Sequence, residues 1–555
     1  MATVRAPSVT QSRISWFAAA PFIASLLVAL PLIVVAAHLL FTPSDIAQQM
    51  LGIVMPRYLM TTFLLVIGVA ICTTILGVIP AWLVVMCRFP GRRIFEWALV
   101  LPLAVPAYVL AYVYYELLAS SGPIQETLRA LTGLGPRDYW FPRISSTGGA
   151  IFVLSLALYP YVYLSARAAF IQQAGSIFEA SRMLGSNAWS SFVRIMLPLA
   201  RPAVVVGLSL VIMETLADFG AVTILGVQTF ATGIFRAWFS MGDHVAASQL
   251  AMALLGFVFI ALLLERTSRS QAGFYNDGTH GAHLPPIRPQ GWKRWIAVGI
   301  CLLPLLLGFI LPACRLFYLA LASGYGFGAK NMWEVTSTSI MLAVVTSLIA
   351  MALALLIVYA NRLQPRRPGL FATRIASLGY ALPGPVIAVG TLLPLAWLDN
   401  QFNNAAQHYF GISTGLLLTG TWVALIFGYL ARFMTISIGN IEAGFGKIKT
   451  SLDDVAASLG SGPMRRLLDV HIPLLWPAIG AGTLLILVDV MKELPMTMVL
   501  RPFDLNTLAI TIYDLVRDER LAEAATPALV LVLIGLVPVY LISRNMRRTA
   551  KRAKN

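Results

Sequence analysis

Charged residues are scarce in this chain of 555 residues. Asp, Glu, Lys and Arg make up 12% of it, whereas 58% is hydrophobic, and the mean hydropathy is +0.79. A soluble globular domain is nearer a quarter charged. The scarcity therefore excludes an ordinary soluble protein and indicates that most of the polypeptide lies in lipid.

Cysteine and histidine are also rare. The four cysteines lie in or beside apolar segments without C-x-x-C spacing, and the six histidines form no metal-binding pattern. The sequence has no G-x-x-x-x-G-K-[S/T] phosphate-binding loop. We therefore expect no disulfide framework, no resident cofactor and no catalytic residue, and we expect any ATP hydrolysis to be carried out by a separate protein.

Long apolar runs dominate the chain. Twelve of them approach or exceed the roughly 20 residues that a helix needs to cross a bilayer, and helices satisfy their own backbone hydrogen bonds in hydrocarbon. The sequence thus predicts an all-α integral membrane protein with about twelve transmembrane helices. The runs cover residues 14–41, 59–86, 97–118, 148–168, 201–226, 244–264, 295–320, 335–360, 375–398, 413–436, 474–500 and 522–543.

Positive charge is concentrated on one side of the predicted topology. If the N-terminus is cytoplasmic, alternate connecting segments hold 29 of the 40 Lys and Arg residues. This is the positive-inside bias, so the net charge of +16 reports topology and not nucleic-acid binding. We expect both termini in the cytoplasm, with the tail RRTAKRAKN held at anionic membrane lipid.

The chain reads as a tandem duplication. EASRMLGSNAWSSFVRIMLP (179–198) and DVAASLGSGPMRRLLDVHIP (454–473) share acidic, glycine and proline positions at an offset of 275, and AVPAYVLA (104–111) resembles ALPGPVIA (381–388). We predict two six-helix repeats in the same orientation, residues 1–267 and 295–555, joined by a polar cytoplasmic linker, 268–294. Parallel repeats place a pathway along a pseudo-twofold axis normal to the membrane.

Each repeated segment has the character of a helix–glycine–helix unit. Gly185 or Gly460 can take the positive φ that ends a short helix. Ser186 or Ser461 follows as an N-cap of a second short helix, which runs to the proline before the next span. An ordinary connecting loop would explain one copy, but not two copies with matched positions.

This segment resembles the signature loop of the membrane subunits of bacterial ATP-binding-cassette importers, Glu-Ala-Ala, three residues, Gly, nine residues, Ile-x-Leu-Pro. The resemblance implies the type I importer permease fold and a coupling helix that docks on a cytoplasmic ATPase. Two loops imply two ATPase copies. The coupling residues that it implies are Glu179, Ala180, Gly185 and Pro198 in the first copy, and Asp454, Ala456, Gly460 and Pro473 in the second.

Ionisable residues inside the apolar runs are candidates for the translocation pathway. The candidates are Glu214, Asp218, Asp489, Lys492 and Glu493. The two acidic pairs repeat at the offset of 275, and each lies on one helix face. The alternative is that these acids form interhelical hydrogen bonds or sit at helix ends. Seven tyrosines in two clusters could bind metal, but an interfacial belt is the more ordinary interpretation. They are Tyr108, Tyr112, Tyr114, Tyr115, Tyr159, Tyr161 and Tyr163.

Four longer strings resemble the fused permeases of ferric-iron importers over nearly the whole chain. They are LYPYVYLSARAAF (158–170), ETLADFGAVTILGVQTFATGIFRAW (214–238), ALPGPVIAVG (381–390) and MKELPMTMVLRPFDLNTLA (491–509). The resemblance implies Fe³⁺ as substrate, a periplasmic ferric-iron-binding protein and the bacterial inner membrane. Thiamine, spermidine/putrescine and phosphonate permeases share much of the outline. A proton-coupled secondary transporter of twelve helices is an alternative of a different class.

Overall fold

The computed structural model describes residues 15–38, 48, 50–173, 187–270, 287–324, 330–363 and 367–552. Within these ranges the chain is helical and has no β-strand; an isolated bridge joins Cys87 to Ile287. The all-α prediction is confirmed. The predicted linker, 268–294, lies mostly outside the described residues.

The helices divide between two compact units. Unit 1 comprises residues 1–37 and 337–505, and unit 2 comprises residues 38–336 and 506–555. The α-helices of the described residues are α1 Ser15–Ala37, α2 Met55–Met86, α3 Arg92–Ala98, α4 Ala107–Leu118, α5 Pro123–Thr132, α6 Thr147–Gln173, α7 Ala188–Ser191, α8 Leu197–Ala217, α9 Gly220–Ile224, α10 Phe230–Phe235, α11 His244–Ser270, α12 Lys293–Leu305, α13 Leu311–Ala322, α14 Lys330–Leu363, α15 Arg367–Ala376, α16 Gly384–Phe410, α17 Trp422–Phe445, α18 Ser451–Ser458, α19 Pro463–Arg466, α20 Ile472–Lys492, α21 Pro495–Leu500, α22 Leu508–Arg517 and α23 Leu521–Arg552.

Shorter helical turns connect several of these helices. The 3₁₀ turns are Leu101–Ala104 and Gly379–Ala381. The π-helical turns of the described residues are Met50–Val54, Phe192–Met196, Arg236–Ser240, Leu306–Ile310 and Leu467–His471.

Ten helical segments of the described residues are long and apolar enough to span a membrane, and a bent pair, 92–104 with 107–132, raises the number to eleven. The chain is thus a multi-pass membrane protein. The predicted span 375–398 does not meet this measure, because α16 turns polar from Asp399 onward, in DNQFNNAAQHYF.

The predicted span 413–436 is displaced along the chain. The helix begins after Thr421, whose side chain accepts a hydrogen bond from the Val423 N–H, and continues to Phe445. The residues before it form a loop held by Asp399, which is 1% exposed and accepts hydrogen bonds from the N–H groups of 417–419 and from the Thr419 hydroxyl. A polar cap outside the helix therefore fixes where the span starts.

Unit 1 packs the first helix of the chain against helices of the second predicted repeat. Contacts join α1 to α15 and α16. At one crossing a Cβ on Gly390 would lie 2.3 Å from the carbonyl oxygen of Pro31, so the two backbones approach closely. Small residues permit such crossings between membrane helices.

Unit 2 is built around α2, α6 and α8. Gly77 and Gly207 both lie against the backbone around Val162 of α6. Arg315 of α13 forms a two-point ion pair with Glu116 of α4, with 2.9 Å between Arg315 Nε and Glu116 Oε2. Residues 295–322 of the second predicted repeat therefore pack with the first repeat.

The compact units thus differ in composition from the predicted sequence repeats, since each contains helices from both halves of the chain. The repeat boundaries at 267 and 295 remain a prediction about sequence duplication. The local geometry of the two halves nevertheless matches at corresponding positions. Pro106 and Pro383 are both helix N-caps, with φ/ψ of −59°/144° and −60°/138°.

Candidate functional site

The second repeated segment forms the expected helix–glycine–helix unit. Helix α18 ends at Ser458, Gly460 adopts φ +78°, and a second helix begins at Pro463. The prediction of a left-handed glycine at 460 is confirmed. The N-cap is Gly462 and not Ser461 as predicted, because Pro463 has the fixed φ that suits the first helical position.

Helix α18 presents acidic and apolar side chains outward. Asp454, Val455 and Leu459 are exposed, while Ala456 is buried within unit 1. In the first copy, Glu179, Ala180 and Gly185 lie outside the described residues. The described part begins at Asn187, whose side chain accepts a hydrogen bond from the Ser190 N–H.

A π-helical turn joins each repeated segment to its membrane helix. The turns are Phe192–Met196 and Leu467–His471, and Pro198 and Pro473 follow two residues later. The proline ring displaces the carbonyl four residues earlier, which falls inside the wider turn in both copies. The sequence offset of 275 therefore reappears as a shared irregularity of the backbone, of a kind that is frequent at functional sites.

Both membrane helices that follow end at a carboxylate. Asp218 and Glu493 are the first residues past α8 and α20, with φ/ψ of −68°/126° and −69°/118°. Asp218 Oδ1 accepts a hydrogen bond of 3.1 Å from the Val222 N–H. Glu493 Oε2 accepts 3.0 and 3.1 Å bonds from the N–H groups of Met496 and Thr497. Each carboxylate thus caps the short helix after the break.

Glu493 also belongs to a buried ion pair. Its Oε1 lies 3.0 Å from Nη1 of Arg432, and both side chains are less than a tenth exposed. The Thr497 hydroxyl contacts Glu493 and the Tyr429 hydroxyl, the latter at 2.6 Å. Gly384, at the start of α16, lies against the pair, since a Cβ there would meet Arg432 and Glu493 within 3 Å. The oxygens of Glu493 are occupied by donors of the chain itself.

The remaining predicted pathway residues are partly exposed. Glu214 and Asp218 lie in unit 2, whereas Asp489 and Lys492 lie in unit 1 with Glu493. Their convergence on one pathway remains a prediction. Within the described part of the chain, no three or more His, Cys, Asp and Glu residues group in a way that could hold a metal ion.

The tyrosines between 108 and 163 are mostly internal and do not form the predicted interfacial belt. Tyr112, Tyr114 and Tyr163 are buried, and their hydroxyls donate to the carbonyl oxygens of Leu521, Leu307 and Glu96. These bonds satisfy the polar end of a ring buried within unit 2.

Sequence reasoning missed two arginines that organise this region. It counted Arg432 only as a basic topology residue at the end of the predicted span 413–436, whereas the arginine lies buried inside α17 and pairs with Glu493. It counted Arg362 only as a basic topology residue, whereas Arg362 contacts Asp453 near the second repeated segment. Apolar residues recur at helical spacing past Arg432 as far as Phe445. This pattern is the signal that could have placed Arg432 inside a helix.

Comparison with known proteins supplies the family. Residues 73–266 match the binding-protein-dependent transport system inner membrane component family. Residues 73–266 therefore form a binding-protein-dependent transport permease component. The permease is 25% identical over 494 residues to the Fe(3+)-transport system permease protein FbpB 2 of Haemophilus influenzae, an alignment that covers 88% of this chain and 90% of that relative.

Two further relatives show how the similarity is distributed. The ferric transport system permease protein FbpB of Actinobacillus pleuropneumoniae is 23% identical over 84% of the permease and 68% of its own length. The molybdenum transport system permease protein ModB of Escherichia coli is 28% identical over 36% of the permease and 87% of its own length. Half-sized relatives therefore match part of the permease, and the long ones match both halves.

Proposed function

We propose that this permease moves ferric iron, delivered by a periplasmic binding protein, into the cytoplasm as the membrane-spanning part of an ATP-binding-cassette importer. The observation that carries the proposal is the similarity to an Fe(3+)-transport permease over 88% of this chain and 90% of that relative. Similarity to the molybdenum permease spans 36% of this chain and supports only the wider family. Thiamine, spermidine/putrescine and phosphonate are the alternative substrates.

Two copies of a separate ATPase would drive transport. The chain has no phosphate-binding loop of its own. The segments 179–198 and 454–473 would each fill one cleft of an ATPase dimer, with Glu179, Ala180, Gly185 and Pro198 in one and Asp454, Ala456, Gly460 and Pro473 in the other. The exposed side chains of Asp454, Val455 and Leu459 support this role for the second segment.

Both coupling segments and both termini would face the cytoplasm. The support is the charge distribution, in which 29 of 40 Lys and Arg residues fall on that side of the predicted topology. The binding protein would dock on the opposite face. Closure of the ATPase dimer would open the pathway outward, and hydrolysis would return it to the inward-facing state.

The translocation pathway would be lined by Glu214, Asp218, Asp489 and Lys492. Carboxylate oxygens are ligands that hard cations prefer, and these side chains are partly exposed. Glu493 would instead have a structural role and stabilise the break between α20 and α21, because Arg432 and two backbone N–H groups already bind its oxygens.

Proteoliposomes containing the permease and its ATPase test the proposal directly. We expect ATP-dependent entry of ⁵⁹Fe³⁺ supplied on the binding protein, with vanadate abolishing entry and a protonophore leaving it unchanged. Molybdate and spermidine serve as control substrates. Entry that stops with the protonophore and persists with vanadate would contradict ATP-driven import and favour a proton-coupled transporter.

A further inference from the structure

A polar cluster joins the second coupling segment to three other parts of unit 1. The cluster consists of Arg362 at the end of α14, Asp453 in α18 and His471 in the π turn before α20. All three side chains are largely buried, with exposed fractions of 13%, 17% and 0%. Three ionisable groups are thus withdrawn from water beside a helix that otherwise faces outward.

Arg362 connects α14 to both α17 and α18. Its Nε lies 2.7 Å from Oδ2 of Asp453. Its Nη1 and Nη2 donate to the carbonyl oxygens of Phe445 and Ile448 at 3.2 and 3.0 Å, where α17 ends and the chain turns towards α18. A guanidinium offers donors in a fixed planar fork, so this one side chain fixes the direction in which α18 follows α17.

Asp453 extends the connection to α20. Its second oxygen, Oδ1, lies 2.7 Å from Nε2 of His471. The imidazole packs beside the rings of Tyr359 and Phe445, with centroid distances of 5.4 and 5.2 Å. The Tyr359 hydroxyl donates to the carbonyl oxygen of Pro463, the first residue of α19.

The first half of the chain carries apolar residues where Asp453 and His471 stand. At the offset of 275 these positions are Phe178, outside the described residues, and Met196, which is buried. The π turn of that half is instead held by Phe192, which packs against Trp82 at 4.8 Å and Phe170 at 6.2 Å between ring centroids. The two π turns are therefore anchored by different chemistry.

We propose that Arg362, Asp453 and His471 are positioning residues. They transmit movement of α18, the first helix of the second coupling segment, to α14, α17 and α20. The inference rests on the proposed coupling function of 454–473. Because Asp453 lies between the other two groups, neutralising it removes the carboxylate that pairs with the buried Arg362 and lies beside His471. The second coupling segment would move as one body with the membrane helices.

Two measurements on the variant Asp453→Asn test this role, with Asp469→Asn as the matched control. Asp469 lies in the π turn that contains His471, but it is 62% exposed and pairs with Arg465 of its own segment. First, we expect hydrogen–deuterium exchange of residues 451–458 in the purified permease to accelerate about tenfold in Asp453→Asn and to stay unchanged in the control.

Second, we expect the ATP hydrolysed per substrate imported by the reconstituted complex to rise about fivefold in Asp453→Asn. Arg362→Lys, which keeps the charge but lacks the fork, should produce the same direction of change if Asp453→Asn fails to fold. Equal exchange in the variant and the control would overturn the proposal, and so would faster exchange with an unchanged ATP ratio. Exchange needs no substrate, so failure of wild-type iron import would count against the proposed function alone.

Discussion

At the scale of single residues, the carboxylates of this permease within and beside the membrane helices divide into buried ones and partly exposed ones. Asp399 and Glu493 are buried and accept several hydrogen bonds from the chain itself. Glu214 and Asp489 lie within membrane helices and are partly exposed. Burial indicates a structural role, whereas a partly exposed ionisable residue inside a membrane helix is a candidate for transport.

Asp399 should contribute stability that depends on pH. Burial opposes its charge, but hydrogen bonds from the Thr419 hydroxyl and from the N–H groups of 417–419 outweigh this and lower the pKa of Asp399. A lowered pKa in the folded state gives stabilisation that is complete above the ordinary value of about 4 and is lost as pH falls through the lowered one.

We therefore expect Asp399→Asn to reduce the free energy of unfolding by about 1–3 kcal/mol at neutral pH. The difference from wild type should shrink below about pH 4. Thermal unfolding in detergent between pH 3 and 7 measures both effects. The exposed Asp518→Asn serves as the control, with a change within about 0.5 kcal/mol. A pH-independent difference would contradict the role given to the carboxylate.

Glu493→Gln should destabilise the permease more than Asp218→Asn. Loss of the Glu493 charge leaves Arg432 buried and uncompensated, which costs about 3–5 kcal/mol. Asp218 accepts its bond from a backbone N–H, and an Asn side chain can still accept it, so we expect about 1 kcal/mol. Unfolding midpoints in detergent check this order.

Substrate transport by the same two variants distinguishes a structural anchor at the helix break from a residue that lines the pathway. If Glu493 is an anchor, the folded fraction of Glu493→Gln should transport with unchanged apparent affinity. If Asp218 lines the pathway, Asp218→Asn should lose transport while remaining folded. The reverse pattern would return Glu493 to the pathway.

At the scale of helices, the sequence located some of the repeated features and missed others. The offset of 275 located Gly460, with its positive φ, and paired Asp218 with Glu493. It did not predict that both carboxylates follow a helix end, because the predicted spans 201–226 and 474–500 run through them. It did not locate the π turns, because they arise from the steric demand of Pro198 and Pro473 on the preceding turn. The start of α17 was also missed, since it depends on the loop that Asp399 holds.

Gly460→Val should uncouple transport from ATP hydrolysis by changing the backbone path between α18 and α19. Nothing lies within 4 Å of a Cβ at Gly460, so the cost is the left-handed backbone alone, about 1–2 kcal/mol, and is greater for a β-branched residue. We expect normal membrane insertion with reduced import per ATP hydrolysed.

Gly462→Ala is the control for this variant. Gly462 has an ordinary extended conformation, with φ −68° and ψ 164°, and also has open space around it. We expect wild-type import from it. Full import by Gly460→Val in the reconstituted complex would remove the glycine turn from the coupling role.

At the scale of the whole molecule, the compact units recombine segments of the two predicted repeats. Residues 1–37 join 337–505, and residues 506–555 join 38–336. Periodicity and offsets cannot predict such an exchange, because they describe each segment alone. Close contacts such as Gly390 against Pro31, and ion pairs such as Arg315 with Glu116, determine which segments pack together.

The identity of the substrate is the central claim, and it is tested most directly by ferric-iron uptake in cells. Uptake of ⁵⁹Fe³⁺ under iron limitation is compared between cells with and without this permease, with thiamine, spermidine and molybdate as control substrates. The account predicts that loss of the permease collapses iron uptake alone and that the wild-type chain restores it. Unchanged iron uptake together with loss of a control substrate would contradict the iron assignment and leave the importer architecture in place.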